Sequence, residues 1–365
     1  MSQLQRNTSL ESTCSVLSCT SKDFFDFFDG DLNTDILAND AINKIINPTK
    51  QRLIDAVIIP NTTPRYDLYK LLTAMITHAP DPLGKRYVAV ALHIAHQKGA
   101  DDVVGIAKAW LEHLFLPMLA ISIHDKTEPS GSQTPTLDAT VQVIEFADRS
   151  EQAELRKRVA EREDYRCAVT GALDKARVKE LEMLQRVEEI PHAPAHARMQ
   201  AAHIIPLSLD NFQDGSKKAK SGLKLKDAAR TWDMFQAWTS IDVKKLAGSK
   251  INLPENAIYM TMEEHFDFGA FTFYFDKDEY PDSPHKYKVK MVRDTNVEFA
   301  TKPSASPPDP EFLRIHAAFA KVLHLSGAAS YYEDVERSAR EEGTLRLDGK
   351  TDFGLLLRSR LILTH

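Results

Sequence analysis

Apolar residues recur at helical spacing through most of the first third of the chain. In RYDLYKLLTAMITHA, Leu68, Leu71, Leu72, Met75 and Ile76 fall on one face of a 3.6-residue period, which predicts an amphipathic helix. GKRYVAVALHIAHQKGADDVVGIAKAWLEHLFLPML continues the pattern. Gly99 and the Asp101-Asp102 pair divide it into two helices, and Pro117 ends or kinks the second. Residues 31–123 are expected to form a helical domain behind a mobile, Ser/Thr-rich N-terminus over residues 1–30. His93, His96 and His113 read as polar edges of the helical core, because no carboxylate or cysteine completes a ligand set around them.

The periodicity stops at HDKTEPSGSQTPT, and residues 124–147 read as a linker with a short strand. RSEQAELRKRVAEREDYRC then predicts a charged helix with Ser150 as its N-cap, leading into the strand-like YRCAVTG. MQAAHIIPLSL reads as a second strand. ENAIYMTMEEHFDFG runs into a helix, FTFYF and KYKVKMV are β-like, and EFLRIHAAFAKVLHL predicts a helix that packs back on them. The chain as a whole is therefore expected to be α+β. A helical N-terminal domain precedes a mixed domain over residues 148–330, with a helical insertion and a C-terminal helix, and residues 331–365 form a tail with a helix.

Composition narrows the function classes. With 365 residues, 43% hydrophobic and 27% charged, the chain is ordinary globular material, and a net charge of -6 argues against coating nucleic acid along its whole length. Basic character is local. From Asp214 to Lys250 nine Lys or Arg oppose four Asp, and Lys217, Lys218, Lys220, Lys224 and Lys226 are the candidate phosphate contacts. In the same insertion Trp232, Phe235 and Trp238 recur every third residue. Such a stripe either packs inward from an amphipathic helix, the favoured reading, or offers stacking surfaces. Three cysteines, Cys14, Cys19 and Cys167, do not make a disulfide framework, and neither a signal peptide nor an apolar run of about 18 residues is present. An intracellular protein is expected, with nucleus and cytoplasm not separated.

The residues with chemistry to offer are His203 at the end of an apolar strand, Asn256, and His265 nine positions later. Phosphodiester hydrolysis needs a water deprotonated and negative charge stabilised on the phosphate and the leaving oxygen. A neutral imidazole suits the first task and a divalent cation the second, while an asparagine braces the loop that carries the base. Structural readings compete. His203 can simply bond a backbone carbonyl, His265 can pair with Glu264 or Asp267, and Asn256 after Pro254-Glu255 can be turn chemistry.

CAVTG, then AAHIIP, then ENAIYMTMEEH followed by FGAFTFYF resemble the HNH endonuclease domain, the ββα-metal fold, in the form common in fungal proteins. RTWDMFQAW and LRIHAAFAKVLHLSGAA extend the likeness, which covers residues 148–330. The resemblance implies a metal-dependent endonuclease hydrolysing DNA. It makes His203 the general base, Asn256 the middle asparagine, and His265 a metal ligand helped by Asp267, Glu264 or Asp210, with one divalent cation, Mg²⁺ or else Mn²⁺. Cys167 stands alone where many relatives carry paired CxxC motifs, so no structural zinc is expected. Ala202 stands where HNH nucleases often carry an Asp, Glu or His ligand. That departure leaves a second expectation open, a catalytically inactive HNH-fold module that binds nucleic acid or protein. A third is a helical N-terminal domain that docks a partner.

Overall fold

The computed structural model describes residues 10–57, 66–119, 139–191, 196–206, 222–242, 245–246, 248–290, 295–303 and 305–333. The chain divides into two units that interleave along the sequence: Met1–Ile121, Ser208–Lys245 and Ala318–His365 make the first, and Ser122–Leu207 and Leu246–Ala317 the second.

Among its described residues the first unit is helical. Its helices are α1 (Glu11–Leu17), α2 (Ser21–Phe28), α3 (Thr34–Asp40), α4 (Asn47–Asp55), α5 (Leu68–Thr77), α6 (Pro82–Lys98) and α7 (Ala100–Trp110), with π-helical turns at Ala41–Ile46 and Leu111–Phe115. Caps explain several boundaries. Asp67 accepts from Lys70 N at the start of α5, and Asp81 accepts from Gly84 N at the start of α6, where Pro82 occupies the first turn. Pro117 lies in a helical stretch directly after the second π turn, so it does not stop the helix.

Near the N-terminus α1 and α2 carry side chains that reach the core. Leu10, Leu17 and Phe24 are buried, Thr13 Oγ1 lies 2.6 Å from Tyr87 Oη, and the buried Arg86 guanidinium donates to the carbonyls of Phe28, Gly30 and Leu32. The helical insertion belongs to this unit as well, not to the mixed domain. Its helix α10 (Gly222–Thr239) uses Asp233 to accept from Leu10 N and Ser12 N, capping α1. Trp238 packs against Phe115 and Phe319 at 5.2 and 5.1 Å, and Phe235 and Trp232 are also buried, so the aromatic stripe faces the core. A Cβ on Gly84 would stand 1.9 Å from the Trp238 carbonyl oxygen, so this contact needs glycine.

The second unit is α+β. Helix α8 (Ala139–Arg162) starts well before Ser150, so that residue lies inside the helix and is not its cap, and residues 139–147 are helical where a short strand was expected. YRCAVTG is a turn with single bridges, not a strand. Gly171 N donates to Cys167 O, Thr170 N to the buried Cys167 Sγ, and Gly171 takes a φ of 72° that favours glycine. After α9 (Lys175–Met183), strand β1 (Met199–His203) pairs antiparallel with β2 (Ala257–Thr261), from Met199 opposite Thr261 to His203 opposite Ala257. The second strand of the hairpin is thus AIYMT. All five of its residues are buried, so it shows no alternation, and the sequence reads it as the lead-in to the helix. Thr261 then caps α11 (Met262–Gly269) by accepting from Glu264 N. Strands β3 (Tyr274–Asp276), β4 (Lys286–Lys290) and β5 (Thr295–Glu298) form an antiparallel sheet, and α12 (Pro310–Ser326) follows, with its residues up to Ala317 in this unit and the rest in the first.

Two buried polar residues hold this unit's elements together. Arg162, fully buried at the end of α8, donates to the carbonyls of Pro254 and Ala257 at 2.8 Å each and of Ser306 at 2.9 Å, and pairs with Glu163 at 2.7 Å. His316 lies between the rings of Phe268 and Phe271, with centroids 3.8 and 4.6 Å away, and donates from Nε2 to Phe268 O.

Candidate active site

β1, the 3-10 turn before β2, and α11 carry the three residues singled out by sequence. β1 ends at His203 as the chain turns towards Pro206, and Ile204 N donates to Asn256 O at the end of the strand pair from which the connection over residues 204–256 leaves. His203 is 8% exposed, and its Nε2 lies 3.1 Å from Asn252 Oδ1. Asn252 in turn donates from Nδ2 to Glu151 Oε2 at 3.0 Å.

Asn256 is fully buried, on the 3-10 turn just before β2. Its Oδ1 accepts from Ile205 N at 2.9 Å, and its Nδ2 donates to Ile205 O and Ile251 O at 3.0 Å each. Every hydrogen atom of that amide is used on backbone, so Asn256 is a brace and not a group that meets substrate.

His265 sits one turn into α11 and is 6% exposed. Its Nδ1 lies 2.7 Å from Gln200 Oε1 on β1. A carbonyl-type oxygen only accepts, so Nδ1 carries the proton and Nε2 keeps a lone pair. His203 and His265 are anchored at different points, since Gln200 precedes His203 by three residues, about 10 Å of strand. Asp267 is not brought to His265: two residues apart on a helix, their side chains leave about 200° from each other. Glu264 is buried beside its cap, and Asp210 lies outside the described residues.

The segment from the Cys167 turn through β3 is the one that these elements occupy, and residues 167–276 match a family model described as HNH endonuclease. That segment is an HNH endonuclease-family domain. No curated protein and no solved structure matches the chain. The HNH domain thus begins at the Cys167 turn, whose Ala168 N donates to Tyr259 O on β2, and it contains the insertion that folds with the helical unit.

Nuclease domains of this family typically use one divalent cation, and the donor chemistry of this one is narrow. Among the described residues no group of three or more His, Cys, Asp and Glu could hold an ion. Among the described residues His265 has its Nδ1 held by Gln200, the arrangement that metal-ligating histidines adopt. These residues fit a cation held by one imidazole, with its other positions left to water and phosphate oxygens, and not a cage built by protein alone. Ala202 is fully buried opposite Ile258.

Three functional candidates escaped the sequence reading. Gln200 and Asn252 are ordinary polar residues whose partners lie 65 and 49 positions away, and Glu151 lies outside the family match, so no local motif marks them. Of the candidate nucleic-acid contacts, Lys217, Lys218 and Lys220 lie outside the described residues, as do the side chains of Lys224 and Lys226, which stand on α10. His192 is outside them too, whereas His196 reaches Pro191 O at 2.9 Å.

Proposed function

We propose that the HNH domain is a divalent-metal-dependent endonuclease that hydrolyses phosphodiester bonds of DNA, with His203 as general base. The observation that carries the reading is His203 itself: a nearly buried imidazole at the end of β1 in an HNH-family segment, with one ring nitrogen hydrogen-bonded to a side-chain amide. Water attacks phosphorus while the unprotonated ring nitrogen of His203 takes its proton, the P–O bond to the leaving deoxyribose oxygen breaks, and that oxygen takes a proton from solvent. The imidazolium formed is stabilised by the hydrogen bond that its other N–H donates. Asn256 holds the backbone at Ile205 and Ile251, where the connection leaves β1 and returns towards β2, which keeps His203 in place. Bound through His265 Nε2, Mg²⁺ or Mn²⁺ would supply stabilisation of the charge that develops on the phosphate. The lysines from Lys217 to Lys226 are the phosphate contacts in this reading, since they concentrate basic charge on an acidic chain.

A second reading has its own observation. Ala202 is buried and no three-residue ligand group occurs among the described residues, which favours an HNH-fold module that binds nucleic acid or protein without cutting it. A direct comparison separates the two: the full chain is incubated with supercoiled plasmid or single-stranded RNA and Mg²⁺, Mn²⁺, Ni²⁺ or Zn²⁺, beside His265→Ala. Metal-dependent nicking of DNA that His265→Ala loses supports the nuclease. DNA retarded in a gel but never cut, with any of the four ions, supports the module.

A further inference from the structure

We infer that Glu151 and Asn252 are positioning residues that set the tautomer of His203, making Nδ1 the nitrogen that accepts the proton from water. The nuclease reading supplies the reaction this serves, but the assignment itself rests on three side chains.

A carboxylate such as that of Glu151 accepts, so the side chain of Asn252 must turn its NH₂ towards it, and the 3.0 Å contact from Nδ2 to Oε2 is that bond. The amide carbonyl Oδ1 is then the atom left to face His203, at 3.1 Å from Nε2. A carbonyl oxygen also only accepts, so Nε2 must carry the hydrogen and the neutral ring keeps its lone pair on Nδ1. A carboxylate thereby fixes an amide flip, and the amide flip fixes an imidazole tautomer. The same bond persists when the ring is protonated, because Nε2 donates in both states.

The supports of this relay are built into the fold. Asn252 closes the 3-10 turn Gly248–Asn252, and its neighbour Ile251 has its carbonyl held by Asn256 Nδ2 at 3.0 Å. The same amide grips both N–H and C=O of Ile205, two residues after His203. One buried asparagine therefore fixes the backbone beside both members of the His203–Asn252 pair. Glu151 comes from α8, outside the 167–276 family match, so the relay is a feature of this chain's own surroundings to the domain. Its carboxylate is exposed, so its effect is orientational more than electrostatic, and any acceptor at that position would serve.

The experiment is a long-range ¹H–¹⁵N correlation spectrum of the histidine rings in the full chain at neutral pH, with His203→Ala assigning the His203 signals. It reports the protonated nitrogen without needing activity. In wild type the Nε2–H form is expected. Glu151→Gln, which still offers an acceptor oxygen, keeps it. Asn252→Ala gives a mixture of both forms, and Glu151→Lys, which can only donate, flips the amide and shifts the population towards Nδ1–H. Glu151 is on the surface, so that variant folds even if Asn252→Ala does not. If cleavage is measured in parallel, Glu151→Lys loses roughly 10²-fold or more, the low end of what a general base supplies. An Nδ1–H ring in wild type, or an unchanged tautomer in Glu151→Lys, overturns the inference. The predicted tautomers in a wild type that cuts nothing would leave the relay standing and remove the nuclease reading.

Discussion

Asn256 shows how much one side chain can carry. Its amide makes three backbone hydrogen bonds with no exposure to water, and it links the strand end at Ile205 to the turn at Ile251. Asn256→Ala leaves a buried N–H and two carbonyls without partners, so a loss of about 1–3 kcal/mol or more is expected in denaturant unfolding. Asn256→Asp is expected to cost more, because a carboxylate would face the Ile205 and Ile251 carbonyls in place of a donor. Equal stability in all three proteins would contradict the bracing role. At this scale, the sequence makes His203, Asn256 and His265 legible because the family pattern places them in order. It is silent on Gln200, Asn252 and Glu151, because a polar residue's partner is set by three-dimensional proximity and not by spacing. Asp267 shows the converse: close in sequence to His265, it points elsewhere because two residues of helix turn through about 200°.

Among the elements, the end of α8 and the start of α12 determine how the hairpin is held. Arg162→Met is expected to destabilise by about 3–5 kcal/mol, since it strands the buried carbonyls of Pro254 and Ala257 and the Glu163 carboxylate. Burial pushes the Arg162 guanidinium pKa down and the Glu163 carboxyl up, and their mutual attraction opposes both shifts. His316 gives a pH signature. Burial between two phenylalanine rings pulls its pKa from the ordinary 6.5 to about 3. As pH falls through this window the unfolded chain takes up a proton that the folded ring refuses. Its contribution to stability is therefore full above 6.5 and declines towards 3, with a slope of at most about 1.4 kcal/mol per pH unit. Denaturant unfolding at a series of pH values should show a shallower decline below 6.5 in His316→Phe than in wild type, and an identical decline would contradict the assignment. The helices from Leu68 onward are readable from apolar period, with Gly99 dividing two of them. The hairpin is harder. YRCAVTG has strand-forming residues but Gly171 closes it into a turn, and AIYMT, buried on both faces, lacks the alternation that marks a strand.

On the scale of the molecule, the HNH domain is interrupted by an insertion that folds with the helical unit, with Asp233 capping α1 and Trp238 packed on Phe115. Sequence order suggests consecutive domains, and a contact such as Asp233 to Leu10, 223 positions apart, cannot be read from local pattern. Among the described residues no helix is long and apolar enough to cross a membrane. The lysines that precede and begin α10 are the proposed nucleic-acid contacts, and each phosphate they neutralise adds about 0.9 to the slope of log affinity against log salt on duplex DNA. Replacing Lys217, Lys218 and Lys220 by Ala should therefore flatten that slope, as read by fluorescence anisotropy across a salt series, and an unchanged slope would place the contacts elsewhere. The central claim is that His203 deprotonates water at a phosphodiester, and its most direct test is single-turnover cleavage of plasmid DNA by wild type and His203→Ala with saturating Mn²⁺. Wild type is expected to nick and His203→Ala to be slower by about 10²- to 10⁴-fold. Equal rates in the two proteins, or no cleavage by wild type, would contradict it.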